Sequence, residues 1–176
     1  MRFYSGKGDD GTSTLCGSAA RFPKTDPRFE ALGAIDELNS YLGICRALVN
    51  NSKIDTALKT AQEDLFIIQA ELGAVGQSTI APLSEKQLRA IEQIIDALGV
   101  EVGEIKEFTL AGGTVLAAHL DFARTLARRA ERRLVILKDI LSPMVISYLN
   151  RLSSLLFILA RYVNKKENIK EDHPSY

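Results

Sequence analysis

The sequence contains few of the side chains on which most enzymes depend. Its 176 residues include two histidines, two cysteines and no tryptophan. Neither His119 nor His173 belongs to a Glu-x-x-His pair, which excludes a ferritin-like two-metal bundle. Cys16 and Cys45 form no zinc-type cluster with them and suggest no disulfide framework. No Ser-His-Asp or Cys-His arrangement can be argued, so a substrate or cofactor would have to supply any nucleophile.

The sequence also has no excess of positive or negative charge, because its formal net charge is zero. Any basic site must therefore be local, which argues against non-specific nucleic-acid binding. No apolar run approaches the roughly 20 residues of a membrane span. The first residues, MRFYSGKGDDG, lack the apolar segment of a signal peptide. We therefore expect a cytoplasmic protein with no membrane and no nucleic-acid partner.

Helical periodicity accounts for most of the chain. Apolar residues at three-and-four spacing predict helices over 27–49, 53–75, 84–98, from about 114 through 133, and 143–166. Asp26 with Pro27 and Ser142 with Pro143 are typical of helix starts, and Gly99 of a helix end. We predict loops over 76–83 and 100–113 and a polar, mobile tail over 165–176. The fold class is therefore all-α, a single five-helix bundle over residues 1–176.

The densest charge lies on the fourth predicted helix, HLDFARTLARRAERR, residues 119–133. One acid, Glu131, stands among five arginines: Arg124, Arg128, Arg129, Arg132 and Arg133. The helix also carries an apolar stripe, so the arginines flank its core-facing side. Guanidinium groups there suit phosphate or carboxylate. The alternative is a solvated basic face with local Arg–Glu pairs, and the helix by itself favours this alternative.

Further polar positions lie in the first 25 residues and at helix edges. The segment FYSGKGDDGTSTLCGS is rich in Gly, Ser, Thr and Asp, which indicates either a frayed tail or a loop that binds phosphate. It contains no Walker A motif. Asp36 and Asn39 share one helix face, and Asn150 and Phe157 share another. A contact between Asp36 and Arg124 is plausible, because acids and arginines at the edges of packed helices commonly pair.

Four motifs together resemble a known family. They are YSGKGDDGTS, KTDPRFEALGAIDELNSYLG, RTLARRAERR and NRLSSLLFILARY, in this order. The chain resembles the trimeric ATP:cob(I)alamin adenosyltransferases from Tyr4 to about Asn164. It departs from the family pattern at Ser5–Lys7, where Thr-x-Thr is expected, and at Ala111, where proline is usual.

The resemblance implies a five-helix bundle that forms a homotrimer with active sites between subunits. Its reaction transfers the 5′-deoxyadenosyl group of ATP to cob(I)alamin and releases triphosphate, with Mg²⁺ present and no metal bound by the protein itself. A reductase and a cobalamin-dependent acceptor enzyme are the implied protein partners. The alternative is a corrinoid- or nucleotide-binding carrier or regulatory bundle with little turnover.

The resemblance also implies roles for single residues. Residues 1–25 would form a nucleotide-binding loop whose phosphate ligands are Ser5, Gly6, Lys7, Gly8, Ser13, Thr14 and Lys24. The ATP site would continue over Arg128, Arg129, Glu131, Arg132 and Asn150.

Asp36 and Arg124 resemble the family's salt bridge near the corrinoid. Phe108 resembles the aromatic that displaces the lower axial ligand of cobalt, and Phe157 would lie beside the corrinoid. Arg128, Asp36, Arg124 and Phe108 form the predicted catalytic set, and Tyr176 is a candidate for closing the corrinoid site.

Overall fold

The chain folds into a bundle of five α-helices, in a computed structural model that describes residues 2–75 and 80–176. The helices are α1 (Pro27–Ala47), α2 (Ser52–Gly73), α3 (Glu85–Val102), α4 (Val115–Val135) and α5 (Met144–Lys166). A short 3₁₀ turn, Lys138–Ile140, connects the last two. The five predicted helices are confirmed. Part of the predicted loop at 76–83 lies outside the described residues.

Helix α5 is the centre of the bundle. It packs against α3 and α4, while α1 packs against α4 and α2. Leu149, Leu152 and Leu156 of α5 are completely buried, and burial of one such side chain contributes about 1.5–3 kcal/mol. By length and composition α5 could cross a membrane, but most of it is buried inside the protein. Its apolar character is accounted for by its place in the core.

The predicted start of α1 is confirmed. The Asp26 side chain accepts a hydrogen bond from the Arg28 amide (2.9 Å), and Pro27 occupies the first helical turn. The Arg28 guanidinium lies 4.6 Å from the Phe22 ring centre, which joins the helix to the segment before it. Helix α4 begins similarly, because Thr114 Oγ1 accepts from the Ala117 amide (3.0 Å). Side-chain caps of this kind satisfy amides that have no partner within the helix.

The first 25 residues contain a small hairpin that the sequence pattern does not reveal. Strands β1 (Thr12–Thr14) and β2 (Arg21–Pro23) pair antiparallel, with Ser13 opposite Phe22. Backbone hydrogen bonds from Cys16 to Gly73 (2.8 Å) and from Val75 to Cys16 (3.0 Å) attach this hairpin to the end of α2. Strands of three residues are too short for alternation of polar and apolar residues to be recognised.

Three local predictions are wrong. Helix α3 does not stop at Gly99 but continues to Val102, and Gly103 ends it with a φ of 86°, a conformation that glycine adopts without strain. The Ser142 hydroxyl does not cap α5, since it is buried without a hydrogen-bond partner. The tail is not a free polar end, because residues 171–173 bond to α5 and to the loop before α4.

Candidate active site

Four of the five arginines of α4 fall into two groups. Arg129 pairs with Glu37 of α1, and Arg133 Nη2 lies 3.1 Å from Glu30 Oε1. Arg128 and Arg132 are exposed, and within the described part of the chain neither has a hydrogen bond or an ion pair. The neighbouring helix thus neutralises two arginines and leaves two available for an anion.

Glu131 and Asn150 lie next to these arginines and contact each other. Asn150 Nδ2 donates to Glu131 Oε1 (3.2 Å), and Arg151 Nη1 donates to Asn150 Oδ1 (3.0 Å). Arg151 is itself held by Glu92 (Nε to Oε1, 2.9 Å). The structure therefore brings two predicted ATP-site residues from different helices together and fixes the orientation of the amide. Arg151 is a further residue of this cluster, and none of the sequence motifs indicated it.

A second cluster lies at the N-terminal hairpin, around a cavity of about 600 Å³. Its lining contains Ser5, Lys7, Gly8, Thr12, Ser13, Thr14, Ala19, Arg21 and Lys24. Lys24 Nζ donates to the Gly8 carbonyl (2.8 Å), which places its charge at the cavity. Six of the seven predicted phosphate ligands thus share one cavity, and Gly6 lies beside them in the chain with a φ of 69°.

Arg21 and Thr12 also line the hairpin cavity, although neither was a predicted phosphate ligand. Arg21 Nε donates to Thr12 Oγ1 (2.6 Å), and its Nη2 lies 3.3 Å from Asp10 Oδ1. The hydrogen bond from the Thr12 hydroxyl, with smaller effects of the Thr12 amide and Arg21, lowers the pKa of Asp10. The sequences of the two strands, TST and RFP, carry no signal for these two residues, because only the pairing of the hairpin brings them to one cavity.

Phe108, Phe157 and Arg124 meet at a third place, a cavity of about 600 Å³ between the loop before α4 and helices α4 and α5. Phe108 is 80% exposed there. The Nε atom of Arg124 is buried without a hydrogen-bond partner. A smaller cavity of about 280 Å³ is lined by both Phe108 and Tyr176. Three residues that were predicted to lie near the corrinoid, Phe108, Phe157 and Arg124, therefore line one cavity.

The predicted contact between Asp36 and Arg124 is wrong for a single chain. Asp36 is exposed, and the described residues offer it no ion pair or hydrogen bond. Helix α1 turns Glu30 and Glu37, not Asp36, toward the arginines of α4. Arg124 instead faces the cavity that contains Phe157. Side chains on one helix face can reach only the neighbour on that side, and Asp36 points away from it.

A buried ionic network that was not predicted lies next to Phe157 of this third cavity. Arg161 Nη2 donates to Asp121 Oδ2 (2.6 Å), and the two side chains are only 2% and 4% exposed. Arg161 Nε also lies 2.7 Å from Glu171 Oε1. The signal was present as one arginine inside the apolar run FILARYV, because a charge in such a run requires buried partners.

Metal-ligand clusters are absent from the part of the chain that the structure describes, since no three His, Cys, Asp or Glu side chains are gathered there. The arrangement offers cations, hydroxyls and backbone amides on one side and aromatic side chains on the other. Such a site can hold and orient two substrates and neutralise an anionic leaving group, whereas acid–base catalysis by histidine has no support in it.

Comparison with known proteins agrees with this geometry. The family described as cobalamin adenosyltransferase matches residues 3–163. A corrinoid adenosyltransferase of Bacillus subtilis is 38% identical over 175 residues, covering 96% of this chain and 90% of that protein. The corrinoid adenosyltransferase PduO of Citrobacter freundii is also 38% identical, and this chain spans 51% of its length.

A solved structure is similar over its whole length. A variant of the PduO-type ATP:corrinoid adenosyltransferase from Lactobacillus reuteri, determined with cobalamin and ATP, has a TM-score of 0.91 and 32% identity. The alignment covers 99% of this chain and 100% of that one. The sequence resemblance is thus confirmed, and so are the fold class and the reaction type. The chain belongs to the cobalamin adenosyltransferase family, whose members carry out ATP-dependent adenosylation of a corrinoid.

Proposed function

We propose that Arg128 and Arg132 bind the triphosphate of ATP while its 5′-deoxyadenosyl group is transferred to cob(I)alamin. The observation that carries this proposal is that Arg128 and Arg132 are exposed and unpaired in the described chain, whereas Arg129 and Arg133 beside them are paired with α1. Cob(I)alamin is itself the nucleophile, so the protein needs no general base. As the bond from C5′ to the triphosphate breaks, negative charge accumulates on the leaving group, and preorganised guanidinium groups stabilise it.

The hairpin cavity supplies the remaining phosphate ligands. Ser5, Ser13 and Thr14 offer hydroxyl groups, and Lys24 offers its ammonium group. A Cβ atom at Gly8 would lie 3.2 Å from Lys24 Nζ, so a side chain there would crowd the lysine. The absence of a side chain at this position lets backbone and lysine approach the phosphates together.

Mg²⁺ would reach the site as part of the nucleotide complex. The described residues contain no carboxylate cluster for it. Mg²⁺ commonly keeps several waters and takes its other ligands from substrate phosphates, and the Ser5 and Ser13 hydroxyls at the cavity fit that arrangement. The ion would neutralise part of the triphosphate charge, and the protein side chains would neutralise the rest.

The cavity with Phe108 and Phe157 would receive the corrinoid. Its aromatic lining and the exposed Phe108 ring suit a face of the macrocycle from which the lower axial ligand has been removed. A four-coordinate Co(II) centre is reduced more readily than a five-coordinate one. Phe108 would therefore act mainly before adenosyl transfer, at the step that produces Co(I).

A homotrimer would bring the separate clusters into one active site. Among the described residues, no hydrogen bond or ion pair joins the hairpin to α4. Asp36 and Arg124 are both unpaired, and we assign them to an ion pair between neighbouring subunits. Helices α1 and α4 also expose Ile44, Val115 and Phe122, which gives this face the apolar character of an interface.

A charge exchange tests the intersubunit pair. Asp36→Arg and Arg124→Asp should each weaken the trimer in analytical ultracentrifugation and abolish product formation, since like charges would then meet. The double variant should recover both properties. If the double variant has native helical content but recovers neither trimer formation nor product formation, the proposed pair is contradicted. Arg133→Asp, which breaks only a contact inside the chain, is the matched control.

The reaction is measured with ATP, Mg²⁺ and chemically reduced cobalamin, following the visible spectrum of the cobalt–carbon product. Tight ATP binding without product above the uncatalysed rate would instead indicate a carrier protein. The chemistry also requires a reductase that supplies Co(I) and an acceptor enzyme that uses adenosylcobalamin. A cytoplasmic location would give the enzyme access to ATP.

A further inference from the structure

The loop that carries Phe108 is held by the C-terminal segment, residues 167–176. Residues 104–113 contain no helix or strand. The Phe108 side chain is 80% exposed, so packing does not fix its position. The backbone carbonyl oxygen of Phe108 accepts a hydrogen bond from His173 Nδ1 (2.9 Å). The Leu110 amide donates to the Asp172 carbonyl (2.8 Å). Because a carbonyl only accepts, Nδ1 carries the proton. The backbone at Phe108 is thus tied to the C-terminal segment.

The C-terminal segment is in turn held by the buried network. Glu171 Oε1 lies 2.7 Å from Arg161 Nε and accepts from Asn164 Nδ2 (2.8 Å). Arg161 is 2% exposed, and its guanidinium lies 5.2 Å from the ring centre of Phe157, the other aromatic of the corrinoid cavity. Within the described chain Arg161 Nε makes no hydrogen bond, so its contact with Glu171 is an ion pair, and the hydrogen bond from Asn164 gives the Glu171 carboxylate its direction. Glu171 therefore fixes where the segment leaves the bundle.

The same network holds the far end of the loop. Asp121 Oδ2 accepts from the Gly112 amide (3.2 Å), and Asn164 Nδ2 donates to the Gly112 carbonyl (3.0 Å). Gly113 has a φ of 95°, and a Cβ atom there would collide with the Asn164 side chain. The loop is consequently attached at Phe108 itself and again at Leu110 and Gly112, the last through Asp121, the partner of Arg161.

We propose that Arg161, Glu171 and His173 are positioning residues that set the place of the Phe108 ring in the corrinoid cavity. Arg161 orients Glu171, Glu171 orients the C-terminal segment, and His173 holds the Phe108 carbonyl. This inference rests on the proposed role of Phe108 in removing the lower axial ligand. It assigns to the polar residues of the C-terminal segment a function that needs no aromatic closure by Tyr176.

The test compares two starting states of the cobalt. Glu171→Gln keeps an oxygen that can accept from Asn164 but loses the charge beside Arg161, and His173→Ala removes the contact with the Phe108 carbonyl. Starting from cob(II)alamin with a reductant, each should lower the rate about tenfold. Starting from chemically prepared cob(I)alamin, each should stay within about twofold of the parent protein. Ser175→Ala, in the same segment but without a contact to the loop, is the control for both assays.

Amide hydrogen exchange gives the second measurement. Peptides covering residues 104–113 should exchange faster in both variants than in the Ser175→Ala control, with helix α1 unchanged. Unchanged exchange in the loop, or equal losses in the two assays, overturns the positioning role. If the loop loosens but Phe108→Ala itself shows no difference between the two assays, the assignment of Phe108 fails, and this inference fails with it. Because His173 is exposed, its variant tests the idea even if Glu171→Gln lowers stability.

Discussion

The arginine face of α4 and the loop that carries Phe108 are built in opposite ways. Arg128 and Arg132 are placed by a regular helix, are exposed, and have no partner in the described chain. Phe108 stands on an irregular loop whose position depends on a buried network and on the C-terminal segment. Helix geometry is sufficient to present a charge to an anion, but an aromatic ring on a loop must be held by tertiary contacts.

The energetic consequences of a substitution should differ accordingly. An exposed guanidinium remains hydrated until an anion binds, so its removal costs the fold little. A buried ion pair has lost its hydration, so removal of one partner leaves the other unpaired in an apolar environment. Variants on the arginine face should therefore affect function alone, whereas variants in the buried network should affect stability as well.

The largest effect is expected for Asp121→Ala. It removes the partner that lies 2.6 Å from the buried Arg161, and the free energy of unfolding should fall by about 3–5 kcal/mol. Urea denaturation followed by circular dichroism measures this change. Glu37→Ala, which removes the exposed partner of Arg129, is the control and should cost at most about 1 kcal/mol. An equal loss of unfolding free energy in the two variants would contradict the distinction between the buried network and the exposed arginine face.

Arg128→Ala should have the largest effect on activity alone. Loss of one preorganised cation from the departing triphosphate should lower kcat about 100-fold or more. The midpoint of thermal unfolding without ATP should not change, because the side chain is exposed and unpaired. Arg133→Ala, whose guanidinium pairs with Glu30, should retain activity within about twofold. A loss of helical content in Arg128→Ala would show that this arginine is structural.

Phe108→Ala should act on one step of the reaction. With cob(II)alamin and a reductant the rate should fall about tenfold or more, while the rate with chemically prepared cob(I)alamin should fall much less. Stability should be unchanged, since the ring is 80% exposed. The visible spectrum of the cobalt during turnover distinguishes the two steps. A parallel loss in both assays would contradict a role in ligand displacement.

The smallest effect is expected at Asp26, where the hairpin meets α1. Hydrogen bonds from the side chain and then the amide of Arg28 lower the pKa of Asp26 to about 2. The ionised Asp26 carboxylate therefore contributes fully to the free energy of unfolding above about pH 4, near its usual pKa of 3.8. This contribution is lost as the pH falls toward 2. At pH 7, Asp26→Ala should cost about 1 kcal/mol in urea denaturation. A difference from the parent protein that persists unchanged at pH 2 would contradict this assignment.

Helix periodicity and end signals allowed much of the fold to be predicted. Asp26, Pro27 and Thr114 mark helix starts that the structure confirms. The predicted end of α3 at Gly99 was wrong because glycine also occurs inside helices. Gly103, which has a positive φ, ends this helix. The hairpin of β1 and β2 could not be predicted, because its stability comes from pairing and from the attachment of Cys16 to α2.

The candidate site was predictable where one helix or one short segment carries it. Most of the hairpin residues and the paired Glu131 and Asn150 were found by motif resemblance, and the structure brings each group together. The predicted contact between Asp36 and Arg124 is not made within a single chain, because helix phase gives a direction but not the neighbour in that direction. Arg161 was not selected, because the burial of its side chain depends on packing between helices.

By itself, the sequence determined five amphipathic helices, their main end signals and a row of arginines beside an apolar stripe. It also carried enough of the family's motifs for the reaction to be predicted. Only the tertiary structure decided which arginines are neutralised by α1 and which remain available. It also decided that Glu171 and His173 reach back to the loop of Phe108. The reason is that periodicity and capping are local, whereas pairing between distant charges depends on how the helices pack.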